Sequence, residues 1–265
     1  MIRGRCRSRG GIEFVQSLVS NSHDTINSTK TLPNFSKRDA TPQCFQVKDM
    51  IMVFVTMIGL VVFGGLVAGR LGMNELDGAN FVIIYMMQTV AIVVPLMLVM
   101  KDKNIGLREL GFKKIGLKKA VKMAVAAYFS YLIVMLTVTN IMWSLNMEIP
   151  GIGEQESYVG VIGDQKIIAT VIVLIITFLA PIIEEVFFRG FVFQTLLAKC
   201  PRWVAFVVSA TIFAAFHFEF QVFIPLFVLG LILNWIFFKS KSLYPGIAFH
   251  IINNVIALGL EYYIT

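Results

Sequence analysis

The chain is expected to fold as an all-α, polytopic transmembrane bundle of about seven spans. Three observations carry that expectation. First, 57% of its 265 residues are hydrophobic and only 15% are charged, where a soluble domain carries about 25% charged residues; mean hydropathy is +0.77. Second, the apolar residues fall into runs near the roughly 20 residues that cross about 30 Å of hydrocarbon. Third, Lys and Arg concentrate in alternate loops, as the positive-inside rule requires.

Residues 1–48 are polar, lack helical periodicity and read as a disordered cytoplasmic tail. The Arg3, Arg5, Arg7, Arg9 cluster also fits an organelle transit peptide, but a plain basic tail is the simpler reading. No secretory signal is expected, because the first apolar run begins only near Met50. Residues 49–265 form the membrane domain. Its spans are Met50–Gly69, Ala79–Met100, Met123–Leu145, Ile167–Leu197, Trp203–Phe218, Val222–Phe238 and Leu243–Leu260. The fourth is too long for one straight crossing, since roughly 31 residues would reach ~46 Å. Pro181 is expected to kink it or to divide it in two, which makes the count seven or eight.

Outside the tail, the loops 101–119, 199–202 and 239–242 hold most of the Lys and Arg, whereas 70–78 and 146–166 hold one each. The predicted orientation is N-terminus inside and C-terminus outside. The net charge of +7 suits anionic lipid rather than nucleic acid. Cys6, Cys44 and Cys200 form no metal spacing and no disulfide framework. No internal repeat of the transporter kind is visible.

Against this background, Pro181-Ile-Ile-Glu184-Glu185-Val-Phe-Phe-Arg189-Gly190 stands out. Each charge costs about 2.5–3.5 kcal/mol at the centre of a membrane helix. Successive helical residues are rotated by roughly 100°, so Glu184 and Glu185 face different ways. Glu185 and Arg189, spaced i,i+4, can pair along one face. Glu184 is left without a partner on its own helix. Two histidines, His217 and His250, lie in other predicted spans, and Asn253 and Asn254 follow His250. The i,i+4 spacing sets Phe213 beside His217 and His250 beside Asn254. Singly, each polar group has a packing explanation: an ion pair bracing a helix, a satisfied His, an Asn bonding a neighbouring backbone. The phenylalanine runs Phe187-Phe188 and Phe213–Phe220 read as lipid-facing or packing residues. Glu184, His217, His250 and Asn254 on three helices together point to a site.

At these residues the chain resembles the CPBP family, the CAAX proteases and bacteriocin-processing enzymes also called the Abi family. The family's marks are Glu-Glu-x-x-x-Arg, Phe-x-x-x-His and His-x-x-x-Asn on membrane helices. Here they read Glu184-Glu185-Val-Phe-Phe-Arg189, Phe213-Ala-Ala-Phe-His217 and His250-Ile-Ile-Asn-Asn254. The resemblance covers roughly residues 167–258. It implies an intramembrane endopeptidase open to the cytoplasmic side, in the plasma membrane of a bacterium. Its substrate would be a membrane-embedded or lipid-anchored protein or peptide. It also implies that Glu184 activates the attacking water, His217 helps hold that water, His250 and Asn254 stabilise the oxyanion, and Glu185 and Arg189 brace the site. Such chemistry needs a base at the water and donors at the carbonyl oxygen.

Other functions keep a place. One is an inactive immunity or scaffold protein of the same family. Another is a proton-coupled transporter, against which the absent repeat and the adjacent acids weigh. On cofactors the expectation is that none is used. Glu184, His217 and His250 are the set that could hold zinc, but that would consume Glu184 as a ligand and leave Glu185, restrained by Arg189, as the base.

Overall fold

The computed structural model describes residues 45–73, 77–146, 150–152 and 166–264. The residues 1–44, with the arginine cluster, and the acidic Glu148, Glu154, Glu156 and Asp164 lie outside this set. The helices are α1 (Val47–Arg70), α2 (Gly78–Asp102), α3 (Leu107–Leu110), α4 (Leu117–Ser144), α5 (Lys166–Leu197), α6 (Arg202–Ala215), α7 (Phe223–Ser240) and α8 (Tyr244–Ile264). A 3-10 turn, Phe220–Val222, leads into α7. No strand occurs among the described residues.

Each expected span is a helix, but they are unequal. By length and composition, α1, α2, α4, α5 and Phe220–Ser240 can each cross a membrane. With 14 residues, α6 reaches only about 21 Å. The last helix, α8, has 21 residues, but His250, Asn253, Asn254 and Glu261 make it less apolar.

Pro181 does not divide the fourth span, because α5 is continuous from Lys166 to Leu197. The extra break in this segment that such a division would create is therefore absent. A proline ring clashes with the carbonyl four residues earlier in an α-helix, here that of Thr177. The chain widens to π register over Ile175–Leu179, just before Ala180 and Pro181, which makes room for the ring. A second π segment, Glu185–Phe193, begins at the acid pair. π turns are rare and recur at functional sites.

The end carrying the basic loops is closed. Lys103 Nζ pairs with Asp49 at 3.0 Å, joining the end of α2 to the start of α1. The connection from α2 to α4 is packed rather than free, with Ile105 and Leu110 buried. Gly111, at φ +117°, takes a left-handed turn that favours glycine. Its carbonyl accepts from Leu243 N at 2.9 Å, and Ser242 Oγ donates to Lys113 O at 2.7 Å. The buried residues of α2 (Ala91, Pro95, Leu96, Val99) and of α4 (Ala120, Ala124, Ala127) all lie in the half nearer this end. From Val134 on α4 and from Val255 on α8, no described residue is buried. Among the described residues, α2, α4 and α8 are thus packed at this closed end and open toward the other, although Ile172 on α5 is fully buried there.

Candidate active site

The acid pair lies where closed and open halves meet. Toward the closed end, residues 185–193 of α5 are buried apart from half-buried Val186. Helical rotation separates the two acids as expected. Glu185 is 1% and Arg189 0% exposed, and Arg189 Nη1 donates to Glu185 Oε1 at 2.9 Å. Arg189 Nη2 donates to Gly230 O on α7 at 3.2 Å. The guanidinium carbon lies 4.3 Å from the centre of the Phe213 ring on α6, a cation–π contact that partly replaces lost water. Removal of one member of such a pair strands the other charge in an apolar interior.

Glu185 has a second partner. His250 Nδ1 lies 3.2 Å from the same Oε1. A carboxylate oxygen accepts, so Nδ1 carries the hydrogen and neutral His250 has its lone pair on Nε2. His217 repeats the pattern, with Nδ1 2.9 Å from Phe213 O. A carbonyl also only accepts, so its lone pair is again on Nε2. Both Nε2 atoms lie 3.8 Å from Glu184 Oε2. That spacing is too long for a direct hydrogen bond. Glu184 Oε2 is buried without a hydrogen-bond partner, although the side chain as a whole is 23% exposed. The exposure lies elsewhere on the side chain.

The structure thus brings Glu184, His217 and His250 together, with Glu185 and Arg189 behind them. Asn254 is placed differently: its Nδ2 donates to Ile176 O at 3.0 Å, within the first π segment. The amide ties α8 to α5, and one of its two hydrogens is used there.

A tetrahedral zinc ion at 2.0–2.1 Å from each ligand sets neighbouring ligand atoms about 3.3 Å apart. Both separations at Glu184 Oε2 are wider, at 3.8 Å. Among the described residues no three His, Cys, Asp or Glu side chains form a group that could hold a metal ion. As they stand, these residues do not fit zinc.

Phe213 was legible beside His217, but its contacts with Arg189 and His250, and the parts played by Gly230 and Gly246, were not apparent from the sequence. Phe213 is fully buried and packs against both imidazoles, with ring centres 4.8 Å from His217 and 5.9 Å from His250. Phe187 and Phe188 are also buried, whereas Phe218 and Phe220 are 87% and 70% exposed. The phenylalanine runs therefore mix core and surface positions. Gly230 supplies the carbonyl for Arg189, and a Cβ there would lie 3.1 Å from Ala210 Cα. At Gly246 a Cβ would lie 3.1 Å from Glu185 Oε2. A lone glycine inside an apolar helix is the available sequence signal for such close approaches.

Residues 166–256 match one family model, described as type II CAAX prenyl endopeptidase Rce1-like. The match spans about a third of the chain, and this segment is similar to that family. It holds all six candidate residues and agrees with the CPBP resemblance carried by the three motifs. It supports a CAAX-type intramembrane endopeptidase in general. Neither the curated proteins nor the solved structures gave a match.

His217 lies in the turn between α6 and α7, and Ile224 N, just beyond it, donates to Gly151 O at 3.0 Å. That connection is at the open end, opposite the basic loops.

Proposed function

We propose that the protein is an intramembrane endopeptidase that hydrolyses a peptide bond of a membrane-embedded or lipid-anchored protein through a glutamate-activated water. The observation that carries this reading is Glu184 Oε2, buried, unpartnered and 3.8 Å from each of two imidazole nitrogens. A water admitted there would be within hydrogen-bond reach of all three atoms.

In this mechanism Glu184 Oε2 takes one proton of the water while His217 Nε2 accepts the other hydrogen and fixes the oxygen. The water oxygen attacks the scissile carbonyl carbon, and the proton on Glu184 passes to the departing amine. His250 presents Nε2 to the same space. A proton delivered there lets it donate to the developing oxyanion, with Glu185 behind Nδ1 facing the positive charge. Asn254 supports the site through α5 and has a second N–H for the same oxyanion.

We further propose N-in, C-out orientation from the loop charges. In that orientation the open half faces away from the cytoplasm. This reading of the orientation departs from the cytoplasmic mouth that the family resemblance implies. The polar tail at 1–48 and the membrane domain at 49–265 remain the proposed division of the chain.

The test is a comparison of membrane-fraction proteomes with the wild-type protein and with Glu184→Gln. Cleaved protein ends found only with the wild type are expected. A set of ends that is the same in both would sink the endopeptidase reading and leave the non-catalytic scaffold.

A further inference from the structure

A side chain outside the three motifs links the closed end to the acid pair. Gln194 Nε2 donates to Gly190 O at 2.7 Å, and to Glu109 O and Leu110 O at 3.1 Å each. The amide has two hydrogens, so one is shared between two of these carbonyls. Glu109 and Leu110 end α3, and carbonyls at a helix end lack helical partners. The two preceding carbonyls are satisfied within the turn, Leu107 O by Phe112 N at 3.1 Å and Arg108 O by Gly111 N at 3.2 Å. Gln194 supplies what the turn itself does not.

Gly190 makes the contact possible, because a Cβ there would lie 3.0 Å from Leu110 O. Gly190 belongs to the π segment Glu185–Phe193. A π turn is a rare register, and the same segment aims Glu185 at both Arg189 and His250.

We propose that Gln194 is a positioning residue: it clamps α3 onto the π segment and thereby holds the register that points Glu185 at His250 Nδ1 and His250 Nε2 at Glu184. The catalytic consequence rests on the endopeptidase reading; the clamp itself does not.

The full chain is reconstituted in nanodiscs as wild type, Gln194→Met, Gln194→Asn and Asn234→Leu. The first variant has similar length but no donor. The second draws the amide back by one methylene and serves if the first does not accumulate. Asn234→Leu is the control, since it removes a buried amide that bonds Phe206 O across α6 and α7 at 3.1 Å. Two quantities are read: amide hydrogen exchange, and cleavage of an internally quenched, prenylated peptide with a CAAX-type end. Either Gln194 variant should lose protection in Leu107–Phe112 and Glu185–Phe193 together. Its kcat should fall about tenfold to a hundredfold with KM nearly unchanged, the range for a small misplacement of reacting groups. Asn234→Leu should lose stability without that fall in kcat. Unchanged protection in Glu185–Phe193, or a kcat loss no larger than that of the control, overturns the proposal. If the wild type cleaves nothing, it is the endopeptidase reading that fails. Exchange then decides the clamp alone: joint loss in both segments upholds it and any other pattern rejects it.

Discussion

Glu185 and His250 meet at 3.2 Å, Oε1 to Nδ1, across a separation of 65 positions in the chain. This contact gives the second acid a role distinct from its neighbour's. Glu185 fixes which imidazole nitrogen carries hydrogen, and Glu184 faces the nitrogen left bare. In the proposed mechanism one peptide bond separates a structural carboxylate from a reactive one.

Glu184→Gln should lower kcat by about 10²–10⁴, the range for loss of a general base, while the protein still accumulates in the membrane. The amide keeps the shape but cannot take the proton. The measurement is peptide cleavage by purified protein at matched concentration. Turnover within a few-fold of wild type would move the base elsewhere.

Arg189→Ala should act on stability first. It leaves Glu185, 1% exposed, without its main partner, and breaking a buried pair costs about 3–5 kcal/mol. Thermal unfolding in detergent should show a drop of many degrees. A change comparable to that of an exposed lysine variant would mean that the pair does not hold the helices.

Gly246→Ala and Gly259→Ala form a contrasting pair. A Cβ at Gly246 would sit 3.1 Å from Glu185 Oε2, whereas at Gly259 nothing lies within 4 Å. Overpacking typically costs 1–3 kcal/mol. The first change should reduce both stability and activity and the second neither. Equal tolerance of the two would show that Glu185 can yield without consequence.

Chelation tests the role of metal. Protein stripped with a strong chelator should still cleave its peptide. Stoichiometric zinc in the active protein, with activity lost on stripping and restored by adding zinc, would instead make Glu184, His217 and His250 a ligand set.

Orientation is tested by reporters fused at the C-terminus. A reporter active only outside the cytoplasm should be active, following the lysines at 101–119. An inactive one, with a cytoplasmic reporter working at the same position, would reverse the molecule and turn the open half toward the cytoplasm.

Much of the site was legible because it depends on spacing. The i,i+4 rule paired Glu185 with Arg189 and left Glu184 over, and the structure agrees. Asn254 shows the limit of that rule: it shares a face with His250, yet its amide reaches Ile176 O on another helix. Pro181 left two outcomes open for a related reason. A proline marks strain in a helix, but neighbouring helices decide whether the chain breaks or widens, and here π register absorbs it. Phenylalanines carried the least information. In a bilayer, lipid-facing and core positions are equally apolar, so Phe213 at 0% exposure and Phe218 at 87% look alike in sequence. The closed and open ends were hidden likewise, since helix length says where a span lies and not what it packs against.

The uneven packing of the bundle bears on how such a molecule can change. Residues that hold α2 and α4 in place sit in one half of each helix. The other halves carry little structural duty. Substitutions there can change the surface that the molecule presents while the scaffold keeps its fold, because removing partly exposed side chains costs far less than emptying a core. Surface chemistry and foldability therefore rest on separate stretches of the same helices, and one can drift while the other is kept.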